Sequence, residues 1–118
     1  IAPDFSLFHA PLADKDGNVW IGRRKELAAM AYAAKRTIVT VEKIVDGNLF
    51  DDENLSAGII PSLYIDAVAE AEFGARPYGL WAEYGKQTEV LMEYAAQAKT
   101  EDGFAAYLSE KYGAEVLT

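Results

Sequence analysis

"RRKELAAMAYAAKRTIVTVEKIVD", residues 23–46, holds the transition on which the fold reading turns. Its first half has a helical period, with Leu27, Met30, Ala31 and Ala34 recurring at i, i+3, i+4 and i+7. Its alanines let such a helix lie close to a sheet. Lys35 and Arg36 suit its C-terminal end through the helix dipole. The second half, "TIVTVEKIVD" (37–46), reads as a buried strand carrying Ile38, Val39, Val41, Ile44 and Val45. Almost no loop separates the two. A helix over 23–35 running straight into a strand is the grammar of a βαβ unit, provided that another strand precedes it.

"DFSLFHAPLA" (4–13) supplies that strand through Phe5, Leu7, Phe8 and Leu12. "DKDGNVWIG" (14–22) then reads as a tight turn, with Gly17-Asn18 suited to positive φ. Val19-Trp20-Ile21 is expected to pair back as a short strand. Residues 46–58 form a polar connection with a helical turn. In 59–75, strict alternation sets Leu63, Ile65, Ala67, Ala69, Ala71 and Phe73 against Tyr64, Asp66, Val68, Glu70 and Glu72. Ala and Glu favour helix there, but Pro61 and Gly74 punctuate the segment. One long strand is therefore expected, with Pro61 at its start or edge. An irregular aromatic stretch (76–85) leads to two helices, over 86–99 and 101–112, with Thr100 as an N-cap and Gly113 closing the second. These two are expected to cover the sheet. The fold class is α/β, a mostly parallel sheet flanked by helices.

Composition narrows the function. A chain of 118 residues is one domain's worth and can bury a core without staples. Cysteine is absent, which removes disulfides, thiolate metal sites and a cysteine nucleophile and fits a cytoplasmic setting. A net charge of −8 without a basic stripe argues against nucleic acid as a partner. The "GRRK" cluster (22–25) is a solvated helix start. No apolar run is long enough to span a membrane.

The motifs that invite chemistry are few. An EF-hand loop starting at Asp14 needs glycine and glutamate where Val19 and Lys25 stand, so "DKDGN" is a turn. With one histidine, a histidine metal site is excluded, and no G-x-S-x-G elbow is present; His9 reads first as a structural hydrogen-bonder. No phosphate-binding glycine loop occurs. Asp66, Glu70 and Glu72 make an acidic row that is solvated or meets a partner. "FGARP" (73–77) is a strand-exit turn, or a place where backbone approaches a ligand closely. Glu42 is the sharpest candidate. It lies near the carboxyl end of its strand, where open α/β sheets bind ligands, and it is either site-lining or paired with a nearby base.

Three stretches together resemble the alpha subunit of family I coenzyme A transferases, the glutaconate CoA-transferase-like branch above all. They are "PDFSLFHAPLADKDGNV" (3–19), "AAKRTIVTVEKIV" (33–45) and "IIPSLYIDAVAEAEFGARP" (59–77). The resemblance covers about the first two-thirds of the chain. It implies the NagB/RpiA/CoA-transferase-like fold as a partial domain, with 1–118 a single C-terminal portion of an alpha subunit. It also implies a ping-pong reaction that moves CoA from an acyl-CoA to a carboxylate through a glutamyl-CoA thioester. In that family the nucleophilic glutamate belongs to the beta subunit, so no catalytic residue is carried over. Glu42, Lys43, His9 and Arg76 remain as candidates for substrate binding or an interface. Arg76 stands where relatives often show histidine, and the upstream glycine-rich segment of the family is not in these residues. The implied partners are a beta subunit, the N-terminal half of the alpha subunit, and acyl-CoA and carboxylate substrates. CoA thioester is a substrate; no metal or permanently bound cofactor is expected. The alternatives are a CoA-thioester hydrolase of the same two-subunit architecture and a non-catalytic interaction domain. Taken alone, the fragment is expected to be inactive and to self-associate through uncovered apolar surface.

Overall fold

The computed structural model describes residues 1–81 and 83–113. They form two compact units, Ile1–Ala75 and a second unit beginning at Arg76.

The first unit is built on a five-stranded sheet of order β4-β2-β1-β3-β5. Strand β1 spans Phe5–Asp14, β2 Val19–Trp20, β3 Arg36–Val45, β4 Ile59–Ile60 and β5 Ala67–Glu70. The long pairings are parallel: β1 on β3 from Phe5↔Arg36 to Asp14↔Val45, and β3 on β5 from Ile38↔Ala67 to Val41↔Glu70. The antiparallel pairings, β1 on β2 and β2 on β4, involve only short strands. Between β2 and β3 lies helix α1, Lys25–Ala33. The βαβ reading of 4–46 is therefore the structure's own frame, with the Val19–Trp20 strand pairing back as expected.

Period-two alternation sorts β1 and β3 into two faces. Phe8, Ala10, Val39 and Val41 are buried in one core with Leu27 and Ala31 of α1. Small side chains on the sheet and on α1 let the two approach closely, as the alanine content of the helix implies. Of the expected inward positions Met30 is exposed, and α1 stops before Lys35. The reason is competition from the sheet. The Lys35 amide donates to the Pro3 carbonyl and the Arg36 amide to the Asp4 carbonyl, so both residues already follow β1. The Lys35 ammonium pairs with the Asp4 carboxylate at 2.7 Å and does not cap the helix.

The other face differs along its length. Phe5, Leu7 and Ile38 are exposed at its amino-terminal half, and His9, Thr40 and Glu42 follow towards the carboxyl half. A parallel sheet is ordinarily covered on both faces. An exposed Phe5–Leu7–Ile38 patch in the middle of the sheet is an apolar surface that favours association, at about 1.5–3 kcal/mol for each large side chain it buries. Expressed as these 118 residues, the chain is expected to self-associate with rising concentration in light scattering. Leu7→Lys should weaken that association. A wild-type chain that stays monomeric at high concentration excludes this role for the face.

The long strand expected over 59–75 is not formed. Ile59–Ile60 pair with β2 at one edge of the sheet, and Ala67–Glu70 pair with β3 at the other. Pro61, at ψ 146, starts a 3₁₀ turn over Ser62–Tyr64 that carries the chain between them. Pro61 is thus the break and not the start of one strand, and the eleven-position alternation of Ala and Glu is strand-like only locally. The carboxylates around β5 have a definite task. Asp66 accepts from the Thr37 amide at 2.7 Å, and Glu70 accepts from the Ile44 amide at 2.9 Å. Both amides belong to β3, at the ends of the stretch that β5 pairs.

In the second unit, helix α2 spans Thr88–Gln97 and α3 spans Glu101–Tyr112. Thr100 caps α3, its hydroxyl accepting from the Gly103 amide at 3.0 Å. Gly113 follows α3 at φ 91, a value that favours glycine. The two helices pack through Tyr94, whose ring meets Tyr107 edge-on at 5.3 Å and Phe104 at 6.4 Å. No helix among the described residues is long and apolar enough to cross a membrane.

Candidate functional site

The β1–β3 register sets His9 directly beside Thr40 on one face, and Glu42 two residues further along β3 shares that face. The imidazole is held at both nitrogens. Nδ1 lies 2.8 Å from Thr40 Oγ1, and Nε2 lies 2.8 Å from Glu42 Oε1. An ionised carboxylate only accepts, so Nε2 carries a proton. The Thr40 hydroxyl can donate to Nδ1 or accept from it, so both protonation states of the ring keep both bonds. Side-chain exposure is 12% for His9 and 9% for Glu42, which makes this a largely desolvated pair.

The second oxygen of Glu42 ties the pair to the segment after β5. Oε2 accepts from the Phe73 amide at 2.7 Å. Residues 71–74 form a turn closed by the Gly74 amide on the Ala71 carbonyl at 3.0 Å. Phe73 sits in that turn at φ 56, in the left-handed region that a bulky residue rarely adopts. Gly74 lies directly against the imidazole, where an added Cβ would fall 2.6 Å from His9 Cε1. The glycine of "FGARP" is therefore a close backbone approach, to a histidine of the same chain.

Of the residues singled out from sequence, the structure brings His9 and Glu42 together. Lys43 is exposed, and alternation turns it away from Glu42. Arg76 opens the second unit, with its guanidinium 5.4 Å from the centre of the Tyr84 ring. Sequence reasoning does not single out Thr40, Phe73 or Gly74 as partners of His9. The only signal for them is the Phe-Gly turn directly after an expected strand.

The "DKDGN" turn proves to be an anchor. Asp14 is 2% exposed and accepts four hydrogen bonds. Oδ1 takes the Asp16 and Asn18 amides, and Oδ2 takes the Asn18 side chain and the Leu49 amide. Burial alone would raise its pKa. The Leu49 amide and the Asn18 and Asp16 donors together hold it below the ordinary value of 3.8. Gly17 completes the turn at φ 93. A cleft of about 550 Å³ beside it is lined by Asp14, Gly17, Ile44, Ser62 and Asp66. Its carboxylates are already committed to backbone donors. Among the described residues, no group of three or more His, Cys, Asp or Glu side chains is placed to hold a metal ion.

No family model matches the sequence. Individual relatives do. The chain is 34% identical over 113 residues to the alpha subunit of glutaconate CoA-transferase from Acidaminococcus fermentans, covering 91% of this chain and 33% of that protein. It is 33% identical over 116 residues to the alpha subunit of 3-oxoadipate CoA-transferase from Pseudomonas knackmussii, covering 93% of this chain and 38% of that protein. The crystal structure of the Acidaminococcus glutaconate CoA-transferase superposes with a TM-score of 0.84 at 32% identity, over 93% of this chain and 35% of the matched chain. The chain is homologous to part of the CoA-transferase alpha subunit. It spans about a third of the length of these relatives. A protein of unassigned function from Archaeoglobus fulgidus is 38% identical over 111 residues, covering 93% of this chain and 24% of that protein. The decarboxylase AibA/AibB shares the fold as well, with a TM-score of 0.79 at 30% identity over 93% of this chain and 39% of the matched chain. This alpha-subunit segment therefore carries a fold that serves more than one named activity.

Proposed function

We propose that the chain is part of a CoA-transferase that moves coenzyme A from an acyl-CoA to a carboxylic acid. The observation that carries this is joint likeness in sequence and structure to glutaconate CoA-transferase, at 34% identity and a TM-score of 0.84. In this reading a glutamate of the partner beta subunit takes up CoA as a glutamyl thioester. The donor leaves as its carboxylate, and the acceptor carboxylate then takes the CoA and restores the glutamate. This segment supplies scaffold and substrate-side contacts. CoA thioester is the substrate, and no resident cofactor takes part. The two transferase relatives are named for glutaconate and 3-oxoadipate, both dicarboxylates, which makes a dicarboxylate the favoured acid. A cytoplasmic setting fits the absence of cysteine.

The test is chemical. The alpha subunit containing this segment, assembled with its partner, is incubated with acyl-CoA and then treated with hydroxylamine or borohydride. A glutamyl derivative on the partner is expected, together with CoA transfer to an added dicarboxylate. Release of free CoA without an acceptor indicates a thioester hydrolase. Release of carbon dioxide with no glutamyl adduct supports a decarboxylase, the second reading favoured by the AibA/AibB likeness. The 118-residue chain alone should show no turnover; transfer by this chain alone would sink the division of labour between subunits.

A further inference from the structure

We propose that Glu42 is a positioning residue of the CoA-ester site. It fastens the 71–74 turn to the His9 imidazole and so fixes how that turn meets the acyl-CoA. This deepens the CoA-transferase reading and rests on it.

The geometry first separates Glu42 from a chemical role. A carboxylate nucleophile needs an oxygen open to the thioester carbonyl. In Glu42 one oxygen faces His9 Nε2 at 2.8 Å and the other faces the Phe73 amide at 2.7 Å. Donors on both oxygens stabilise the anion and blunt its attack. What these bonds accomplish is mechanical. They connect β1, β3 and the turn after β5 through one side chain, with Thr40 fixing the far side of the ring.

The location then argues for a site and not only a brace. The turn follows the carboxyl end of β5, in a sheet whose long strands are parallel, and ligands of open α/β sheets bind beyond such ends. Phe73 is held at φ 56 and is 45% exposed. Backbone strain in a bulky residue persists only where its surroundings enforce it, and it concentrates where ligands bind. The enforcing group here is Glu42 on the Phe73 amide. A buried histidine–carboxylate pair is also a costly way to hold a turn for stability alone.

The experiment uses the alpha subunit containing this segment, assembled with its beta partner, as wild type, Glu42→Gln and Glu42→Ala. Glutamine keeps the shape. Its oxygen can accept from Phe73, and its amide can donate to Nε2 once the imidazole proton moves to Nδ1, facing Thr40. Alanine removes the clamp. Binding of a non-reactive CoA thioether is measured by calorimetry beside kcat and KM. Glu42→Ala is expected to weaken thioether binding and raise KM by about tenfold or more, the scale of small misplacements near a reacting centre. Glu42→Gln should stay within about threefold of wild type, and glutamyl-CoA trapping on the partner should persist in both variants. If glutamine is as damaging as alanine in a folded complex, the charge itself acts and the positioning role is overturned. If alanine lowers only Tm and leaves binding and KM unchanged, Glu42 is a brace and the proposal fails. A wild-type complex that binds no thioether instead overturns the CoA reading, and this proposal with it.

Discussion

Replacing Asp14 with alanine is expected to destabilise the first unit by about 3–5 kcal/mol, measured by urea unfolding. Leaving a buried donor without an acceptor costs about 1–3 kcal/mol, and the Asn18 and Leu49 amides are both buried. The Asp16 amide and the Asn18 side chain lose the same carboxylate. Asn18 in turn holds the Ser62 amide through Oδ1 at 2.9 Å, so the loss spreads to the turn between β4 and β5. Asp14→Asn should fall between wild type and alanine, because one oxygen becomes a donor facing donors. The pH dependence has a definite sign. The carboxyl of Asp14 is held below 3.8 in the folded chain. Its contribution is therefore complete above that value and is lost as pH falls through the lowered folded pKa. The alanine variant should lack this part of the acid transition. Equal stability of wild type and alanine at neutral pH would show that Asp14 is not the anchor.

Gly74→Ala is expected to dislodge the His9 ring and to cost about 2–4 kcal/mol, the range of overpacking plus a lost buried bond. An alanine Cβ would sit 2.6 Å from His9 Cε1 and 2.9 Å from the Ala71 carbonyl oxygen. The ring cannot retreat without losing Thr40 or Glu42, since both nitrogens are engaged. His9 is the only histidine, so its ring resonances are unambiguous in NMR spectra. They should move strongly in Gly74→Ala and, by a different pattern, in Glu42→Ala. Unmoved His9 signals in a folded Gly74→Ala chain would refute the packing described here.

Local periodicity is enough to read β1, α1 and β3, because each buries one regular face and each has its own length. It is also enough for α2, α3 and the Thr100 cap, where the pattern and the capping hydroxyl agree. It fails over 59–75 for a physical reason. Alternation describes the two sides of a strand but says nothing of which neighbour the strand pairs with. Here the chain pairs with β2, crosses by a 3₁₀ turn, and pairs again with β3. His9 and Glu42 are each legible as unusual, one as a lone imidazole and one as a charge in a strand. Their partnership is not, because it depends on the β1–β3 register that sets residue 9 against residue 40. Asp14 is legible as a turn former, but its Leu49 contact crosses 35 positions of chain. Residues distant in sequence have no local signature to offer.

The carboxylates that bracket β5 have a consequence for the company this sheet keeps. β5 is four residues long, and its neighbour β3 is ten. A shorter edge strand ordinarily leaves the flanks of its neighbour open to recruitment by any extended peptide. Asp66 and Glu70 occupy two of those flanking amides with side-chain oxygens. An incoming strand would have to displace both acids before it could add to this margin, and it would meet negative charge as it approached. The acidic row therefore acts as a bumper. It limits sheet growth at the β5 side and leaves the apolar face as the more open route to assembly.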